Sequence, residues 1–226
     1  MRTPEILLYL QSNHITVFAT SDIAKIIGKR IEYARKIVST IPGIKMAERG
    51  IYYTNQADIY EIASNVVLFS YVSMLSALRY YDLTTQIPHI IDVVSPKAHR
   101  RIEVEGYEIR FIKLKPARIF GHVRRGNAFI AAPEKAILDC LYTGEYAYLE
   151  EAFNIGFENG LISMQKLIDY SLKFKSKSLI NKLGFFLETF AGQNADILLK
   201  YKSSTPVRLI NGANKYNKKW GVYYGE

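Results

Sequence analysis

Apolar positions recur at helical spacing from the start of the chain. Ile6, Leu7 and Leu10 form one stripe behind Thr3, Pro4 and Glu5, which supply a hydroxyl cap, a proline at the first helical position and an acid in the first turn. This helix is expected to end near Ser12-Asn13, with an extended stretch from Ile15 to Phe18 after it. From Ala19 to Gly28 the pattern predicts a short helix capped by Thr20 or Ser21 and stopped by Gly28. Another helix, from about Lys29 to Ile41, follows almost at once and is closed by Pro42-Gly43. Two short helices joined by a tight glycine-containing turn predict a helix-turn-helix.

At about 100° per residue through that second helix, Ile31, Ala34, Ile37, Val38 and Ile41 share one face. Glu32, Lys36 and Ser39 lie opposite, flanked by Tyr33, Arg35 and Thr40. One face is built to pack and the other to enter a groove, with cations for phosphates and guanine edges and Tyr and Thr for phosphates and thymine methyls. Glu32 can accept from a cytosine amine or pair with Lys36 one turn on, and the ion pair is the commoner arrangement on a solvated helix. Ile44 to Thr54 then reads as two strands around a Glu48-Arg49-Gly50 turn, where a wing would stand.

These placements predict that Lys36, Arg35, Tyr33 and Ser39 read the major groove. Lys29 and Arg30 would hold phosphates at the helix start, with Thr20, Ser21, Lys45 and the wing residue Arg49 completing the contact set. Residues 1–55 carry eight basic residues, Arg2 among them, against four acidic ones, a net of +4 within a chain total of +9. A winged helix used only for protein contacts is the alternative, since fold alone does not decide function.

Beyond residue 55 the pattern changes. Gln56 to Asn65 predicts a linking helix and Ser70 to Tyr81 another. Ile90 to Val94 is strand-like, Arg101–Val104 and Tyr107–Lys113 form a hairpin around Glu105-Gly106, and Arg118–His122 and Ala128–Ala131 are further strands. Pro133-Glu134 opens a helix running to Tyr142, and Tyr148 to Lys200 is helical, with caps expected at Ser163 and Ser176. Val207–Ile210 and Trp220–Tyr224 read as strands joined by a polar loop. The whole is expected to be α+β, with a winged helix-turn-helix and linking helix over 1–65 and a larger mixed domain over 66–226.

Composition narrows the function. At 226 residues with 49% hydrophobic and 23% charged residues, the chain can bury a core and is not built for extended disorder. No apolar run reaches the roughly 20 residues that cross a bilayer, and Glu5 interrupts the basic start a signal peptide needs, which predicts a cytoplasmic protein with no membrane partner. The single cysteine, Cys140, allows no internal disulfide or zinc cluster and sits on an apolar pattern, as a buried small hydrophobe would. The positive excess makes a polyanion the first partner to consider, beside a solvated basic surface.

No catalytic constellation has convincing spacing, and neither a cofactor nor a metal is implied: there is no phosphate-binding glycine loop, no His-Glu-x-x-His and no nucleophile elbow, and His14, His89, His99 and His122 are scattered. The alternative reading as a metal-dependent nuclease would use Asp92 with Glu103, Glu105 or Glu108 and Lys113. A ligand-responsive transcription factor is another. Lys97, Arg100 and Arg101, then Arg124 and Arg125, then Lys215 to Lys219 form further basic clusters that could meet nucleic acid or be solvated, and Trp220 with its neighbouring tyrosines could stack on bases or pack in a core.

Several segments together resemble one known family. Tyr71-Val72-Ser73-Met74-Leu75-Ser76-Ala77-Leu78 through Pro88, then Ile91-Asp92-Val93-Val94, then Ala132-Pro133-Glu134-Lys135-Ala136-Ile137-Leu138-Asp139, are similar to the AbiEi family of type IV antitoxins. The Thr20-Ser21-Asp22-Ile23-Ala24 helix and the closing Trp220-Gly221-Val222 extend the resemblance over nearly the whole chain. Asp82 stands where the family pattern has Gly, and Ala132 where Ser is common. The resemblance implies a repressor of its own operon; the chain is accordingly expected to bind double-stranded operator DNA, as a dimer or cooperatively, and, lacking a catalytic constellation, to be non-enzymatic. It also implies a C-terminal domain that counteracts a nucleotidyltransferase toxin without needing a stable complex.

Overall fold

A computed structural model describes residues 3–225, so Arg2 lies outside the described residues. The structure is mixed α+β, as expected. It divides into two compact units, each assembled from separate stretches. The first takes the chain through Val72, then His89–Lys115 and Val123–Ile130; the second takes Ser73–Pro88, Pro116–His122 and the chain from Ala131 onward.

In the first unit, α1 (Thr3–Ser12) buries Ile6 and Leu10, and β1 (Val17–Ala19), α2 (Thr20–Ile27), α3 (Ile31–Val38), β2 (Ile44–Glu48) and β3 (Ile51–Thr54) follow. The strands pair antiparallel in the order β1-β3-β2, with a bulge between Met46 and Glu48. This is the winged helix-turn-helix order. Gly28, at φ +63, ends α2 in the left-handed conformation that lets α3 start so soon. The third helix is shorter than its apolar period suggested, because the hydroxyls of Ser39 and Thr40 donate to the carbonyls of Lys36 and Ile37 and turn the chain out of the helix.

β3 is the middle strand, and its successive side chains face opposite ways. Tyr52 packs with Phe18, Ala34 and Val38 in the core of the helix-turn-helix. Tyr53 enters a different core, with Ile62 and Ala63 of α4 (Ile59–Asn65) and with Val72, Ile91, Val93 and Ile109. Those last four come from a six-stranded sheet. After β4 (Tyr71–Val72) the chain forms α5 (Met74–Tyr80) in the second unit, then β5 (Ile90–Ser95), β6 (Ile102–Val104), β7 (Tyr107–Lys113), β8 (His122–Arg125) and β9 (Ala128–Ala131). The sheet order is β6-β7-β5-β4-β9-β8, with β5 and β7 parallel. The shared core explains why the expected division at residue 65 is not a boundary between the units: the winged helix and most of the sheet bury Tyr53 and Ile62 together.

Three local expectations change. Tyr71 and Val72 form a strand because they pair with Val94, Val93 and Ile130, so the helix waits until Ser73. The strand expected over Arg118–His122 is displaced: Arg118 ends a 3-10 turn that starts at Pro116, and the strand begins only at His122. Arg124 and Arg125, which separate the expected strands Arg118–His122 and Ala128–Ala131, lie in β8 itself.

The second unit continues with α6 (Pro133–Thr143), α7 (Leu149–Glu158), α8 (Met164–Phe174), α9 (Lys177–Thr189), a 3-10 turn at Asp196–Tyr201, and β10 (Val207–Arg208), β11 (Lys215–Asn217) and β12 (Val222–Tyr224) in a small sheet ordered β10-β12-β11. The edge strand β11 lies in the stretch expected to be a polar loop. Ser163 and Ser176 do cap α8 and α9, accepting from the amides of Lys166 and Leu179. Cys140 is buried. Among the described residues no helix is long and apolar enough to cross a membrane.

Trp220 is fully buried, and its ring lies where a β-carbon on Gly184 of α9 would stand. Gly184→Ala is therefore expected to lower the unfolding free energy in urea by roughly 1–3 kcal/mol despite the gain in helix propensity, since a packed ring cannot yield that space.

Candidate nucleic-acid interface

The first unit carries 16 basic and 10 acidic residues by sequence, +6 of the chain's +9. Within it, α3 is held by Ala34, Val38 and the following Ile41, all buried. Its other face is open: Glu32, Tyr33, Arg35, Lys36 and Ser39 are exposed, Tyr33 by 51%. Ile31, expected to pack, is 40% exposed at the helix start. Lys29 and Arg30 precede α3 and are exposed, and so is Arg49 in the turn between β2 and β3. Among the described residues none of Lys29, Arg30, Arg35, Lys36 and Arg49 is in an ion pair, and none joins Glu32 to Lys36. Unpaired guanidinium and ammonium groups on one helix face and its wing can each take a phosphate or a base edge without first breaking a contact.

Other members of the expected set are committed elsewhere. Thr20 is buried, and its hydroxyl donates to the Gly50 carbonyl at 3.2 Å, tying α2 to the wing turn. Neither Thr20 nor Ser21 caps α2: Ala19 holds that position, and the Asp22 carboxylate accepts from its amide at 2.9 Å. Ser21 is half-buried. Ser39 remains at the end of the open face, but its proton is given to the Lys36 carbonyl. Lys45 pairs with Glu105 at 2.8 Å, and the Tyr53 hydroxyl donates to the same carboxylate oxygen. The hydrogen bond from Lys45, then that from Tyr53, holds Glu105 below the usual carboxylate range. Burial, with Glu105 beside it, pushes Tyr53 up to about 12.

The secondary clusters are divided in the same way. His99 bridges Glu48 at 3.1 Å and the Arg100 carbonyl at 2.8 Å, bringing exposed Arg100 to 3.9 Å from Glu48 beside the wing. Arg101 pairs with Glu108 at 2.8 Å. Arg124 donates to the Gly126 carbonyl and to Asn127, while Lys97 and Arg125 are exposed. Asn127 itself is a clamp that the residue pattern did not reveal, donating to the His14 carbonyl and accepting at its own carbonyl from Asn65. A cavity of about 280 Å³ opens there, lined by Asn13, His14, Thr16, Asn65, Arg124 and Asn127, among others.

The carboxylates of the nuclease alternative are not gathered. Asp92 is buried and paired at 2.6 Å with Arg110, its neighbour across the β5–β7 register. Glu105 faces Lys45 and Glu108 faces Arg101. Among the described residues no three His, Cys, Asp or Glu side chains are grouped to hold a metal ion. His89 is exposed, its carbonyl accepting from Glu108.

Two of the segments that carry the antitoxin resemblance, from Ser73 and from Ala132, meet in the second unit, whereas residues 20–24, Tyr71–Val72 and residues 91–94 belong to the first. Ser73, at the start of α5, donates to Asp139 of α6 at 2.7 Å, and Asp139 also pairs with Lys135 one turn back. All three are fully buried, with the Lys135 ammonium 4.9 Å from the Phe174 ring, and burial pulls Lys135 below its ordinary range against the pull of Asp139. The i, i+4 spacing of Lys135 and Asp139 was the one sign of this pair in the chain. The two departures from the family pattern are also local. Asp82 takes the left-handed conformation, φ +55, that Gly adopts freely, and Ala132 stands at the cap of α6, where Ser would accept a hydrogen bond.

No family model and no curated protein matches the sequence. Among solved structures, the fold is similar to that of the RV2827C protein from Mycobacterium tuberculosis, at 13% identity over 96% of this chain and 89% of that one, with a TM-score of 0.60. That likeness is one of fold.

Proposed function

We propose that this protein is a cytoplasmic, non-enzymatic DNA-binding repressor of the AbiEi type, which binds double-stranded operator DNA through α3 and the wing and controls a toxin-antitoxin operon in an abortive-infection setting. The observation that carries the reading is the open face of α3, where Tyr33, Arg35 and Lys36 are exposed and the two cations have no ion-pair partner among the described residues. Lys29 and Arg30 flank the helix start for phosphates, and Arg49 reaches from the wing. The +6 charge of this unit favours a polyanion and makes affinity depend on salt.

The regulatory half is tested on the DNA upstream of the protein's own gene. Lys36→Ala and Arg35→Ala are each expected either to flatten the salt dependence of binding by about one phosphate equivalent or to weaken specific binding by about 1–3 kcal/mol, according to whether the lost contact is to phosphate or to a base. Thr20→Val, which removes a hydroxyl tied to the wing turn, should leave that salt slope unchanged. Wild-type affinity in both α3 variants would remove the reading.

The antitoxin half rests on the segments Tyr71 to Pro88 and Ala132 to Asp139. Co-expression with a nucleotidyltransferase toxin encoded beside the gene is expected to restore growth, and to do so without a complex that survives purification. Growth arrest that persists at full antitoxin expression would leave a regulator with no antitoxin activity.

A further inference from the structure

The small sheet of the second unit carries a ladder of one arginine and two tyrosines across its strands. Arg208 of β10 is the register partner of Tyr223 of β12, which is in turn the partner of Tyr216 of β11. The three side chains form one ladder: the Arg208 guanidinium lies 4.7 Å from the Tyr223 ring centre, and the Tyr223 and Tyr216 rings are 4.6 Å apart at 35°. Alternation along β12 sends Val222 inward and Tyr224 onto Phe185, leaving Tyr223 on the outer side. Arg208 is exposed and steadied by a bond from Nη1 to the Ala213 carbonyl at 2.8 Å. Tyr216 is 46% exposed on an edge strand, so one face of its ring has no strand beyond it.

The chain around the ladder is rich in cations. Residues 197–225 hold six basic residues and no acidic one. Lys219 is engaged by Glu188 and Asp196, whereas Lys218, two residues after Tyr216, is exposed. Cross-strand aromatic pairs also stabilise sheets, but packing alone does not call for an exposed ring at the edge with a guanidinium at the far end of the ladder. An aromatic platform beside free cations is the arrangement that takes unpaired bases by stacking and their phosphates by charge.

We propose that the outer face of this sheet binds single-stranded nucleic acid, with an unpaired base stacked on Tyr216 and with Arg208 and Lys218 meeting the phosphates. Trp220, the aromatic residue that the sequence singles out, has no part in this because it is buried. The site is separate from α3 and does not depend on duplex binding.

The test is fluorescence anisotropy of the full-length protein with labelled oligo(U) and oligo(dT), the two probes telling RNA from DNA. Tyr216→Phe should keep binding, Tyr216→Leu should lose roughly tenfold or more, and Arg208→Met should weaken it, with far-UV circular dichroism unchanged in each. A protein with both Arg35→Ala and Lys36→Ala should still bind the oligonucleotides, which separates this site from the duplex reading. The proposal is overturned if neither probe binds the wild type at low salt, if Tyr216→Leu binds as well as wild type, or if the α3 variant abolishes oligonucleotide binding.

Discussion

Adjacent residues of one strand serve two cores. Tyr52 and Tyr53 lie on opposite faces of β3; the first closes the helix-turn-helix over Phe18, Ala34 and Val38, and the second packs on Ile62 and the six-stranded sheet. A strand buried on both faces cannot slip by one residue without exchanging those two environments. The position of the wing, and through the first core the position of α3, therefore follows from the burial of these two rings.

Polar contacts then refine what the apolar ones set. Glu105, in the tight turn between β6 and β7, takes Lys45 of β2 and Tyr53 of β3, while Glu48 at the end of β2 takes His99. The wing is thus braced along its length by side chains of the same compact unit, and the cations spent in bracing are different from those left open on α3. A frame held by such contacts beside an exposed cationic face suits a polyanionic partner, because each contact already made is ordering that binding need not supply.

The helix-turn-helix was legible because its signals are local: a period near 3.6 from Ala34 to Ile41, a glycine stop at Gly28 and a turn at Arg49-Gly50. The open face of α3 follows from the same period. What could not be read were pairings across long stretches of chain. Lys45 reads as a free cation until Glu105, 60 residues on, takes it, and Thr20 reads as a cap until Gly50 accepts its proton. Tyr71 and Val72 continue a helical pattern and become a strand only because β5 and β9 lie on either side. The ladder of Arg208, Tyr223 and Tyr216 was hidden for the same reason, since no spacing within Lys215 to Lys219 announces a strand.

The account turns on whether the first unit recognises a particular duplex, and the most direct measurement is a salt titration of binding by the full-length protein to the DNA upstream of its own gene, beside random DNA of equal length. The prediction is a clear preference for the upstream DNA, with affinity that falls steeply as salt rises. Equal affinity for the two duplexes, or binding indifferent to salt, would contradict it and leave the winged helix as a scaffold for other contacts.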